Sequence, residues 1–252
     1  MTRVHAAAMV DPRAELASDV DVGPYAVVEA GVVLGAGCVL HAHAVVRGRS
    51  TLGPGNVVHP FAVIGGEPQM KRVAIGPAHL QIGANNVFRE HVTIHGGSGE
   101  GVTVVGSDNL FMVGAHVAHD VRVGSGVVLA NATQLAGHVV VDDWATFGGL
   151  SGVAQHVRVG ESAFVAAAAA CERDVPPFMV VQGDRARVRG VNVVGLRRRG
   201  VPEESVVALG RAARVLWRSG TPRVQALREL EGETDAYVVR LLEALSRLPA
   251  KR

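Results

Sequence analysis

Residues 21–65 read DVGPYAVVEAGVVLGAGCVLHAHAVVRGRSTLGPGNVVHPFAVIG. Every sixth position in this stretch is aliphatic: Val22, Val28, Leu34, Leu40, Val46, Leu52, Val58 and Ile64. The beat reaches back through Leu16, Val10 and Val4, and it resumes after a gap at Ile82, Phe88 and Ile94. It slips by one position across a Gly-rich stretch and then runs unbroken from Val105 through Phe111, Val117 and Val123 to Val165 and Cys171. Gly often follows the beat residue, as at Gly23, Gly35, Gly53, Gly65, Gly83, Gly106, Gly124 and Gly160.

A period of six fits neither a helix nor a plain amphipathic strand. It fits a chain wound into three-sided coils of about 18 residues, each side one short strand and a turn. The beat residues then point into a prism and stack in apolar ladders, while backbone hydrogen bonds run from coil to coil. Small residues beside the beat (Ala26, Ala44, Ala62, Ala115) suit a cramped interior. A glycine after the beat serves a corner needing positive φ or close backbone approach. The expected fold is an all-β solenoid, a parallel β-helix of hexapeptide repeats.

Composition agrees. Of 252 residues 48% are hydrophobic but only 4% aromatic, as a narrow prism requires. Two cysteines, Cys38 and Cys171, give no disulfide framework, so a reducing compartment and a cytoplasmic location are expected. No stretch approaches the ~20 apolar residues of a membrane span, and none reads as an export signal. A formal charge of +2 is too small for general nucleic-acid affinity.

Two segments interrupt the beat. Residues 66–81 (GEPQMKRVAIGPAHLQ, with Pro68, Lys71, Arg72 and Pro77) read as a loop ejected from the prism, and residues 96–103 (GGSGEGVT) as a second excursion. Loops on a rigid scaffold are favoured places for function. The beat ends near Pro176–Pro177, so the predicted division is 1–177 for the β-helix and 178–252 for a connecting segment and an α-helical domain. Apolar residues at helical spacing predict helices from Pro202 to before Gly220, over 222–231 and over 234–247.

The chemistry concentrates in GAHVAHDVRVG (114–124) and, one coil later, LAGHV (135–139). An 18-residue coil stacks Asp120 beside His138 and gathers His119, Asp120 and His138 into one polar patch. Histidine beside a carboxylate is the usual arrangement for a general base. A second reading is a zinc site drawn from His91, His95, His116, His119 and His138, as in prism-shaped zinc hydrases, though no CxxC or HExxH spacing supports it. Beyond the prism, GDRARVRG (183–190) and GLRRRG (195–200) cluster arginines suited to phosphates, carboxylates or an acidic partner protein.

These segments, with VTIH (92–95), VGSDNLFMVGAHVAHD (105–120), GVAQ (152–155), DVPPF (174–178), QGD (182–184) and GVN (190–192), resemble the UDP-N-acetylglucosamine O-acyltransferases of lipid A biosynthesis over essentially the full length. The resemblance implies a left-handed coil and a homotrimer with clefts between subunits. It also implies transfer of a 3-hydroxyacyl chain from acyl carrier protein to the sugar 3-hydroxyl of a UDP-sugar, with no cofactor and no metal. His119 then matches the general base, Asp120 the residue that orients it, and Gly137 the backbone donor to the oxyanion. Lys71, His116, His138, Gln155, Asn192 and Arg198 match substrate-binding positions, and Arg199 part of the surface offered to the carrier protein. Ala167 stands where some relatives have Gly and acyl length is measured, which implies shorter or medium chains. The chain departs from the pattern at the loop Asp missing from PQMK, and at Ala154, Arg185 and Val194. Those departures leave open an acyltransferase for another UDP-sugar or an amino sugar.

Overall fold

The computed structural model describes residues 1–71 and 78–246. Arg72 and Pro77 of the first excursion, and position 247 at the end of the last predicted helix, lie outside the described residues. Nearly every hexad forms a two-residue strand whose second residue is the beat, for example Val27–Val28, Val33–Leu34 and Val39–Leu40. In each of these the first residue is half-buried and the second buried. Among the described residues the strands make three parallel faces of eleven, nine and eight strands, and only the last strand of the first face runs antiparallel. Val22 pairs with Leu40 and Leu40 with Val58, so one coil is 18 residues. The fold is a left-handed parallel β-helix with a C-terminal helical part.

The ladders explain the beat. Each buried aliphatic side chain contributes ~1.5–3 kcal/mol by leaving water, and its neighbours in the coils above and below exclude water from it. The glycines after the beat answer one of the two demands expected of them. A Cβ on Gly35 would lie 2.6 Å from the Gly53 carbonyl carbon, so the coils touch backbone to backbone. Of the eight such glycines only Gly65 has positive φ. The left-handed corner falls three residues after the beat instead, and it is taken by bulky residues as readily as by Gly: Tyr25, His43, Phe61, His91, Asp120, His138 and His156 all have φ between 58° and 64°.

The excursions account for the broken rhythm. Across the first, Val57 pairs with Val87, thirty residues on; across the second, Val87 pairs with Leu110, twenty-three on. The first insertion is a multiple of six and preserves the phase. The second is not, and it produces the one-residue slip. Through this region three buried asparagines, Asn56, Asn86 and Asn109, stack inside the prism. Asn86 Nδ2 donates to Asn56 Oδ1 at 2.9 Å, and Asn109 N donates to Asn86 Oδ1 at 3.0 Å.

The ladder does not stop at Pro176–Pro177. Strand Met179–Gln182 adds to the first face beside Phe164–Val165 and pairs antiparallel with Arg187–Val191, a hairpin not expected from the sequence. Then come α1 (Val193–Arg198), α2 (Glu203–Trp217), α3 (Arg223–Glu229) and α4 (Ala236–Ser246). The last three match the predicted helices, and α1 was unforeseen. The helices form a second apolar cluster around Leu209, Ala212, Val238 and Leu241 that takes in Phe178 and Met179, while Val181 belongs to the prism core. Glu161 on the prism ties the two parts together, bonding Arg199 at 3.0 Å and Arg240 of α4 at 2.7 Å. No helix among the described residues is long and apolar enough to cross a membrane.

Candidate active site

The corner between the second and third faces brings equivalent positions of successive coils into columns. Ala118, Ala136 and Ala154 form one column, His119, Gly137 and Gln155 the next, and Asp120, His138 and His156 the third. The backbone fixes the columns: His138 N donates to the His119 carbonyl at 3.1 Å, and His156 N to the Gly137 carbonyl at 3.2 Å. Beside this corner lies an open groove of about 480 Å³. His116, His119, Gly137, Ala154 and Gln155 line it, together with Gln69 from the first excursion and Cys171 and Glu172 toward its C-terminal end.

His119 is only 6% exposed. Its Nδ1 lies 2.8 Å from Asp120 Oδ2. Burial raises the Asp120 carboxyl, but hydrogen bonds from Ser98 and His119 outweigh it and hold the group below its ordinary value. Asp120 is therefore an anion that can only accept, so the proton in this contact sits on Nδ1 and Nε2 is the ring nitrogen left to meet the groove. Nε2 faces Gly137, where a Cβ would stand 2.8 Å from it. The Gly137 N–H has no hydrogen-bond partner among the described residues.

The second excursion completes the carboxylate's surroundings. Ser98 donates its backbone N–H to Asp120 Oδ1 at 3.1 Å and its hydroxyl to Oδ2 at 2.5 Å. Thr103 Oγ1 accepts the Asp120 N–H at 2.8 Å, standing in for a ladder carbonyl where the coil is interrupted. Ser98, Thr103 and His156 were not singled out from the sequence. The available signal was a hydroxyl residue between glycines in the stretch that breaks the beat.

Other histidines are set in different ways. His116 Nδ1 lies 2.8 Å from Thr93 Oγ1, and burial lowers its pKa, so it meets the groove as a neutral ring. His95 packs edge-on against His116 at 4.8 Å; burial, then the charges of His116 and His119, bring it down to about 4. His91 stacks on Phe61 at a different corner. Among the described residues the one group with converging metal-ligand atoms is His119, Asp120 and His138, not the wider set of five histidines. The Cys171 thiol is pushed up to about 11 by burial and stays protonated.

The remaining predicted residues lie outside the groove of the single chain. Lys71 is exposed two residues beyond Gln69. Asn192 is buried and caps α1, accepting from Gly195 N at 3.1 Å and donating to the Ser162 carbonyl at 2.9 Å. Arg198 is exposed in the last turn of α1. Arg199 lies against Glu161, Ser162 and the Trp144 ring, so its guanidinium is engaged within the chain. Ala167 is exposed on the corner between the first and second faces.

A triangular β-prism with a histidine–carboxylate pair opening onto a corner groove defines a hexapeptide-repeat transferase. The family model described as "Udp N-acetylglucosamine O-acyltransferase; Domain 2" matches residues 174–251. The acyl-(acyl carrier protein)–UDP-N-acetylglucosamine O-acyltransferase of Janthinobacterium sp. (strain Marseille) is 43% identical over 237 residues, 93% of this chain and 90% of that one. The enzyme of the same name from Stenotrophomonas maltophilia is 43% identical over 231 residues, 90% and 88% of the two chains. Among solved structures, the UDP-N-acetylglucosamine acyltransferase from Bacteroides fragilis superposes with a TM-score of 0.93 at 31% identity, covering 97% of each chain. That from Campylobacter jejuni gives 0.91 at 32% identity, covering 99% of this chain and 100% of its own. The chain belongs to the UDP-N-acetylglucosamine O-acyltransferase family.

Proposed function

We propose that this protein moves a 3-hydroxyacyl chain from acyl carrier protein to the 3-hydroxyl of UDP-N-acetylglucosamine, the opening step of lipid A assembly, in the cytoplasm. The observation that carries the mechanism is the His119–Asp120 contact of 2.8 Å, with Nε2 turned to the groove beside Gly137. His119 Nε2 takes the proton of the sugar hydroxyl as that oxygen attacks the thioester carbonyl. Asp120 orients the ring and stabilises the imidazolium that forms. Gly137 N–H receives the oxyanion of the tetrahedral intermediate. Collapse breaks the carbon–sulfur bond, and His119 returns the proton to the departing thiolate of the carrier. No acyl-enzyme is required, and the protonated Cys171 thiol is no nucleophile.

Asn192, Arg198 and Ala167 do not line the groove of their own chain among the described residues. A homotrimer that sets the corner of one copy against the groove of the next would supply them to nucleotide and acyl chain, with Lys71 closing over from the excursion. In this reading Arg199 serves the carrier protein only at the edge of its intramolecular contacts. The proposed division near 177 leaves the catalytic groove on the prism and assigns the helices beyond it to the carrier, while the first-face ladder runs on through Met179–Gln182. The Ala167 methyl shortens the acyl slot, discriminating by the ~1–3 kcal/mol that a methylene or so is worth in such a pocket.

Ala154, which lines the groove where relatives often have His, favours a second reading: a related UDP-sugar, or an amino sugar taking an amide-linked chain. One assay separates the two. A panel of UDP-sugars is offered with a graded series of 3-hydroxyacyl carrier thioesters, and products are read by mass. The proposal expects the highest kcat/KM with UDP-N-acetylglucosamine and a maximum at short or medium chains. A preference for an amino sugar, or a maximum at the longest chain, overturns the corresponding part.

A further inference from the structure

We propose that His156 is a positioning residue for the transfer. It acts by holding the His138 ring, stacked on its own ring, edge-on to His119 with Nε2 toward Asp120. The inference rests on the catalytic roles proposed above for His119 and Asp120.

Three observations lead to it. Among the described residues His138 has no hydrogen bond that would orient its ring: its side chain is 41% exposed, and its Nε2 stands 3.8 Å from Asp120 Oδ2, too far to be bonded. A half-exposed imidazole in that situation turns freely between rotamers. One face of the ring, however, lies on His156, with centroids 4.7 Å apart and planes within 6°. On the other side it meets the His119 ring edge-on at 5.2 Å and 87°. A flat aromatic neighbour and an edge-on one together hold the plane of the ring, and in that plane Nε2 lies toward the carboxylate.

The backbone provides for the contact. Residues 120, 138 and 156 occupy the same left-handed corner in successive coils, with φ of 60°, 61° and 64°. Their side chains therefore leave the prism in parallel, one coil spacing apart. His156 is anchored by its own N–H to the Gly137 carbonyl at 3.2 Å, which ties the stacked column to the neighbouring column that holds the proposed oxyanion donor. The resulting chain runs His156 to His138 by stacking, His138 to Asp120 by an approach of 3.8 Å, and Asp120 to His119 by hydrogen bond. His156 does not line the groove and touches no reacting atom in this scheme.

The test is a double-mutant cycle with a conservative rescue. kcat and KM are measured for the wild type, His156→Ala, His156→Phe, His138→Ala and the His138→Ala/His156→Ala double variant. Side chains in direct contact couple strongly enough that His156→Ala is expected to lower kcat about 5-fold. KM for the nucleotide sugar should stay within about twofold, and the melting temperature within about 2 °C, as for an exposed position. His156→Phe, which keeps a flat ring, should recover kcat to within about twofold. In the His138→Ala background His156→Ala should change nothing further. An unchanged kcat in His156→Ala, an equal loss in both backgrounds, or a His156→Phe variant as poor as His156→Ala would each overturn the proposal. Imidazole NMR provides an arm independent of turnover. The His138 ring should show a single environment in the wild type and rotamer averaging in His156→Ala. A His138 signal unaffected by the substitution overturns the positioning role even if the enzyme proves to use another sugar.

Discussion

At the scale of single residues, position 137 meets two demands at once. The His119 ring fills the space a side chain would need, a Cβ falling 2.7 Å from its Cε1 and 2.8 Å from its Nε2, while the backbone N–H is left without a partner among the described residues. Gly137→Ala should therefore push the base aside while leaving the ladders intact. Displacing a catalytic group by about 1 Å can cost ~10²-fold, and a loss of that order in kcat is expected; turnover at the wild-type level would show that His119 does not need its present place. His95 makes a different prediction. It is 7% exposed, its Nδ1 has no partner among the described residues, and its folded pKa is about 4. Between the ordinary histidine value of ~6.5 and about 4, the unfolded chain binds a proton that the folded chain refuses, so stability falls as pH drops through this window. His95→Asn carries no such proton. Its melting temperature should gain on that of the wild type as pH is lowered from 6.5 toward 4; a constant difference over that range would contradict the buried neutral ring.

At the scale of elements, the beat was legible because every coil repeats it, and the asparagine ladder was not. Asn56, Asn86 and Asn109 stand two places before beat residues, where Val20, Ala26 and Cys38 stand in regular coils. The excursions stretch their spacing to thirty and twenty-three residues, so no fixed period reveals that they touch. Asn86→Ala leaves the Gly106 carbonyl and the Asn109 N–H without their partner inside the prism. Each buried group left unpaired costs ~1–3 kcal/mol, so a loss of at least that size should appear in chemical denaturation; a loss under about 0.5 kcal/mol would match an ordinary surface substitution and contradict the ladder. The hairpin after residue 178 was hidden differently. Arg187, Val188 and Arg189 alternate as a strand does, but the arginines drew the reading toward charge.

At the scale of the whole molecule, the 18-residue coil turned sequence spacing into neighbourhood, and that is why His119, Asp120 and His138 could be placed together from the sequence, while Gly137 came by the family resemblance. Ser98 could not, because it arrives by an excursion that obeys no period. Asn192, Arg198 and Ala167 rest on the family resemblance and on a second copy of the chain. The helical part is joined to the prism through Glu161, whose carboxylate is shared by Arg199 and by Arg240, itself stacked on Tyr237 at 4.4 Å. Partly exposed pairs of this kind are worth up to about 1 kcal/mol each. Glu161→Ala should accordingly speed hydrogen exchange in α4 while leaving the prism strands unchanged, and equal acceleration in both would deny the joint its local role.

The central claim is that His119, oriented by Asp120, removes the proton from the attacking hydroxyl. It is tested most directly by the kcat of His119→Ala, assayed with 3-hydroxyacyl carrier protein and UDP-N-acetylglucosamine on protein whose circular dichroism and oligomeric state match the wild type. Loss of a general base typically costs ~10²–10⁴-fold, and a fall in that range is predicted. A folded variant that turns over within a few-fold of the wild type would contradict the claim.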